Sequence, residues 1–85
     1  MDEGPGQHPR EPDFEVDARG LLCPLPVLRL ARALRGRAGG TRIRLLATDP
    51  AAVEDVSTFC RERSCQLLES HESNGIYTFL IASDG

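Results

Sequence analysis

The apolar residues of this chain change period twice, from two to about 3.6 and back, and that alternation restricts the fold more than any other property of its eighty-five residues. Phe14, Val16 and Ala18 alternate with Asp13, Glu15 and Asp17, the pattern of a half-buried strand. Val27, Leu30, Ala31 and Leu34 then recur at three- and four-residue steps with Arg29, Arg32 and Arg35 opposite them, which predicts an amphipathic helix over 24–35. Ile43, Leu45 and Ala47 restore the period of two. Asp49-Pro50 supplies an N-cap and a proline for a second helix, running to Ser64 with a buried stripe of Ala52, Val53, Val56, Phe59 and Cys60. Segments 66–72 and 76–82 are two more strands, joined at Asn74-Gly75, the strongest short hairpin signal.

The order β-α-β-α-β-β implies an α+β fold. Right-handed crossovers that move the same way across a sheet place both helices on one face, giving a two-layer sandwich. The last strand, Ile76 to Ala82, is the most apolar and belongs inside the sheet. The expected strand order is therefore 1-2-4-3, mixed, with the fourth strand antiparallel. The other face is left open, with Glu15, Asp17, Arg42, Arg44, Leu46 and Leu80 on it.

Residues 1–12 hold three prolines and two glycines without periodicity and read as a disordered tail, leaving 13–85 as one domain. A domain of this size buries only about 60 per cent of its unfolded surface, so its core is thin. No apolar run reaches the roughly 18 residues of a membrane span and the acidic start is no signal peptide, so a cytoplasmic protein is expected. Three cysteines without a Cys-x-x-Cys pair suggest reduced thiols rather than a disulfide framework, and with two histidines they make no plausible zinc set. Charge is unevenly placed: residues 18–48 carry seven arginines and no acid, between two acidic flanks. Without lysine, every side-chain amine is a planar guanidinium suited to carboxylate or phosphate.

The chemistry concentrates at Asp17-Ala-Arg-Gly-Leu-Leu-Cys-Pro-Leu-Pro26. Gly20 permits the sharp turn, and Cys23 falls at the expected N-cap, where helix-terminal amides and the dipole favour a thiolate. Pro24 and Pro26 each remove an amide, leaving those of Leu25 and Val27, so the expected lowering of the thiol pKa is modest. The prolines fix the first turn and hold the sulfur outward, with Arg19 or Arg29 as sources of positive field. The residues alone leave two readings open, a presented nucleophile or a small residue that happens to precede a proline-initiated helix.

Asp17-x-x-Gly20-x-x-Cys23-Pro24-x-Pro26 resembles the signature of the TusA/SirA family of small sulfur-carrier proteins. Ala47-Thr48-Asp49-Pro50-Ala51 is similar to that family's start of the second helix, and Phe59-Cys60 to its end. The resemblance covers residues 13–83. It implies the β-α-β-α-β-β fold and a sulfurtransferase-type carrier without cofactor or metal. In it Cys23 accepts sulfane sulfur as a persulfide from a cysteine desulfurase or another donor. The sulfur then passes to an acceptor protein, in the best-known case toward 2-thiouridine in tRNA. The loop Gly36-Arg37-Ala38-Gly39-Gly40 departs from the family by lacking a proline, and the first helix carries more arginine than expected.

Elsewhere Cys60 is expected to pack in the core, and Cys65, about 140° around a helix from it, to be unable to share its site while both are helical. Arg29, Arg32 and Arg35, with Arg19, are candidates for docking a partner. The alternative function is a non-catalytic module that binds RNA or protein through the arginine-rich helix face. The acidic flanks and only four aromatic residues speak against direct nucleic-acid binding.

Overall fold

A computed structural model describes residues 12–84; the remainder of the segment read as a tail, residues 1–11, lies outside them. The elements are β1 (Phe14–Ala18), α1 (Leu25–Leu34), β2 (Arg42–Ala47), α2 (Ala52–Arg63), β3 (Gln66–Ser73) and β4 (Ile76–Ala82). One four-stranded sheet has the order β1-β2-β4-β3, with β1 parallel to β2 and β4 antiparallel to both of its neighbours. The expected α+β architecture and strand order are observed.

Registry explains the layers. Val16 pairs with Leu45, Leu45 with Phe79, and Ile43 with Ile81, so one row of apolar side chains crosses three strands. With Leu30 and Pro26 of α1 and Val56 of α2, this row supplies the largest fully buried side chains. Burying such a side chain stabilises a fold by roughly 1.5–3 kcal/mol, and together they hold both helices on the sheet. Asn74 and Gly75 close the β3–β4 hairpin with φ of 54° and 81°, the pair of positive values that a tight hairpin turn demands.

Three details differ from expectation. Val53 is 43 % exposed, because α2 turns Ala52, Val56, Phe59 and Cys60 inward and leaves Val53 at the edge of that stripe. Leu80, expected on the open face, is only 4 % exposed, since the side chains around it close over it. A bulge between Leu67 and Glu69 shifts the β3 register, so that Glu69 and His71 pair with Leu80 and Thr78 on the open face. On that face Arg44 reaches Glu15 at 3.6 Å. Asp17, in contrast, turns to Arg19 rather than to β2. No helix among the described residues is long and apolar enough to cross a membrane.

Candidate functional site

Parallel pairing of β1 with β2 ends at Ala18 and Ala47, so the turns that follow both strands emerge side by side at one edge of the sheet. The residues beyond these strand ends build the site. Asp17 binds Arg19 through three contacts, from the Arg19 amide at 3.0 Å, Nε at 2.9 Å and Nη2 at 3.0 Å. These hydrogen bonds hold its carboxyl down at a pKa of about 2 and tie the first turn into a clasp. Gly20 follows with φ of 81°, a conformation that side chains rarely adopt, and its amide donates to Thr48 Oγ1 at 2.9 Å. The Cys23 amide donates to Asp49 Oδ2 at 2.8 Å.

Asp49 therefore serves both loops. Its other oxygen, Oδ1, accepts from the Ala51 amide at 3.1 Å and its carbonyl accepts from the Ala52 amide at 2.9 Å, capping the turn that leads into α2. These two amides, Cys23 first, lower its pKa. The expected capping role is present one turn ahead of the regular helix. The cross-link to Cys23 was not anticipated.

Cys23 is exposed. Its position corrects the expectation at two points. The N-cap of α1 is Pro24, joined to Cys23 by a cis peptide bond, so the thiol stands one residue outside the helix end. Its pKa is raised, not lowered. The first cause is a hydrogen bond to the Asp55 carboxylate, followed by desolvation and by the negative charges of Asp55 and Asp49. No arginine is among the groups that shift it: Arg19 is taken up by Asp17, and Arg29 acts on Asp17. The sulfur is exposed, and the carboxylates of Asp55 and Asp49 disfavour its thiolate.

Of the two prolines, Pro24 is exposed and shapes the start of α1, whereas Pro26 is fully buried beneath it. Pro26 anchors the turn to the core, and Leu22, Leu25 and Leu28 are left 70 %, 45 % and 55 % exposed around the thiol corner and along α1. Three large apolar side chains are thus left at the surface of a small domain. Arg29, Arg32 and Arg35 are exposed on α1 and form no ion pair with any described residue.

Cys60 packs in the core as expected, and Cys65, which lies beyond the helix, hydrogen-bonds with it. The helix ends at Arg63, and Ser64 adopts the left-handed conformation with φ of 61°, which turns the chain out of the helix before Cys65 joins the core. Both thiols are buried. Burial first, and then the hydrogen bond with Cys65, push the Cys60 pKa up to about 12.

The model of the family described as Sulfurtransferase TusA matches residues 14–83. The Sulfur carrier protein TusA of Allochromatium vinosum is 42 % identical over 69 residues, covering 81 % of this chain and 91 % of that protein. The Sulfur carrier protein TusA of Pseudomonas putida is 39 % identical over 70 residues, 82 % of this chain and 88 % of the other. In three dimensions the chain is similar to the crystal structure of a SirA-like protein from Desulfitobacterium hafniense. That similarity has a TM-score of 0.72 at 27 % identity and covers 85 % of this chain and 99 % of that one. A match that runs through every strand and both helices places the chain: it belongs to the TusA family of sulfurtransferases.

Proposed function

We propose that the domain formed by residues 13–85 is a cytoplasmic sulfur carrier whose Cys23 takes up sulfane sulfur as a persulfide and delivers it to an acceptor protein. The observation that carries this reading is the exposed Cys23 thiol, fixed through its own amide by Asp49 and bordered by exposed leucines. Family membership and the sulfur-carrier relatives support it. Among the described residues no second thiol or histidine shifts the Cys23 pKa, and the group that accepts its hydrogen bond is the Asp55 carboxylate.

In the uptake step the Cys23 sulfur attacks the terminal sulfur of a donor persulfide. The Cys23 S–S bond forms as the donor S–S bond breaks, and the donor leaves as a thiolate that takes the proton lost by Cys23. Delivery repeats the exchange with Cys23 as the leaving thiol, so no outside oxidant or reductant enters. Because Asp55 and Asp49 disfavour the thiolate, positive field from a bound donor favours its release. Asp17, Gly20, Pro24 and Pro26 act in support by fixing the loop, and Arg29 with Leu22 and Leu25 forms the face a donor or acceptor meets. Delivery toward tRNA 2-thiouridine is one destination of such sulfur.

The test is incubation with a cysteine desulfurase and cysteine, or a rhodanese and thiosulfate, followed by intact-mass measurement without reductant. The expected result is a gain of one sulfur atom that disappears in Cys23→Ser. A gain that survives the substitution overturns the assignment.

A further inference from the structure

At the end of α1 away from Cys23, α1 and the last turn of α2 enclose a groove with about 830 Å³ of space. Arg32, Arg35, Arg37 and Arg63 line it, against a single acid, Asp84. Leu28, Ala31 and Leu34 supply its apolar floor, and Phe59 lies beneath Arg63. Two of the guanidiniums are held by aromatic rings: Arg37 lies 4.0 Å from the centroid of Phe14 and Arg63 lies 5.5 Å from that of Phe59. Arg37 is fixed further by its Nε, which donates to the Ala33 carbonyl at 3.0 Å. The other two, Arg32 and Arg35, form no ion pair with any described residue. The groove thus combines preset and uncommitted guanidiniums around an apolar floor.

We propose that this groove binds an acidic peptide segment of a partner protein, carboxylates on the arginines and an apolar side chain on the floor. Charge complementarity selects that occupant. Guanidiniums pair bidentately with carboxylates, and the apolar floor offers nothing to a purely charged ligand. RNA is disfavoured by the net charge of −3 of the whole chain, and by Phe59, which is buried and covered by Arg63 rather than open to base stacking.

The proposal rests on the carrier reading and deepens it. Arg32, the first of the groove's arginines, stands about 10 Å along α1 from Leu25 at about 1.5 Å per residue, so a carboxylate gripped there leaves the thiol free. Such a tether raises the effective concentration of the partner's reacting sulfur at Cys23 without occupying the transfer site.

The experiment titrates the protein, labelled for amide NMR, with a blocked peptide of sequence Asp-Glu-Leu-Glu-Asp-Leu-Glu, with its Asn/Gln counterpart, and with a single-stranded RNA oligonucleotide. Expected are shifts confined to Arg32, Arg35, Arg37, Arg63 and their neighbours with the acidic peptide. Affinity should fall with salt and weaken at least about tenfold in Arg32→Glu/Arg35→Glu, a variant whose fold is checked by the same spectra. The proposal is overturned by no binding, by equal affinity for the neutral peptide, by tighter binding of RNA, or by shifts on the open sheet face. Loading of wild-type Cys23 by inorganic polysulfide is measured in parallel. Its failure counts against the carrier reading and leaves the titration to judge the groove.

Discussion

Cys23 and the Cys60–Cys65 pair place the same functional group in opposite surroundings, and both Cys23 and Cys60 have raised pKa values. At Cys23 the first cause is a carboxylate that accepts the thiol proton's hydrogen bond; at Cys60 it is burial. The difference decides what each thiol can do. An exposed thiol quieted by a neighbouring charge is released when a partner changes the local field, whereas a thiol quieted by burial is released only when the domain opens. A raised pKa alone therefore does not separate a transfer site from core packing; access does.

The comparison breaks most decisively on sulfur uptake. Cys23→Ser should abolish the one-sulfur mass gain, while the double variant Cys60→Ala/Cys65→Ala should keep it and lose about 1–3 kcal/mol in urea unfolding, as buried side chains do when truncated. Rates of alkylation come next. In the native state iodoacetamide should modify Cys23 at least about a hundredfold faster than Cys60 or Cys65, because the latter react only through opening of the fold, and peptide mapping reads the ratio. Equal rates would erase the distinction.

Smaller effects sharpen it. Asp49→Ala removes the acceptor of the Cys23 and Ala51 amides, and should lower the urea unfolding midpoint, as the loss of a cap does. Asp55→Asn should move the midpoint of the Cys23 alkylation profile to lower pH, toward the ordinary thiol value of 9.0, from its raised position in the wild type. The same substitution should leave Cys60 unreactive. The smallest effect is on acid stability. Asp17 and Asp49 have lowered pKa values, so their contributions are complete above the ordinary value of 3.8 and are lost as pH falls through the folded-state values, about 2 for Asp17. Asp17 is solvent-exposed and Asp49 only half-buried, so the fluorescence or CD unfolding midpoint should shift only slightly over that window.

The layers and the strand order were legible because they follow from period and apolarity. Ile76 to Ala82 is buried on both sides only as an inner strand, and Asn74-Gly75 marks its hairpin. The thiol's surroundings were not. Counting amides at the start of α1 weighed only the groups local to Cys23, while Asp49 and Asp55 arrive from the second crossover. Their approach follows from the parallel pairing of β1 with β2, whose shared end brings the two following turns together. The meeting of Cys65 with Cys60 was hidden for a different reason. A helix period was carried through Ser64, a residue whose type does not announce a left-handed turn as glycine would. The bulge beyond Leu67 likewise has no glycine to mark it.

The most direct measurement of the central claim follows one sulfur in both directions. The native protein is loaded from a desulfurase and cysteine, the added sulfur is located by peptide mapping under non-reducing conditions, and cyanide is then added to accept it as thiocyanate. The account predicts one sulfur on the peptide containing Cys23, none on those containing Cys60 and Cys65, and return to the starting mass with one equivalent of thiocyanate. Sulfur on Cys60 or Cys65, or a Cys23 that stays unloaded while the desulfurase turns over, would contradict it.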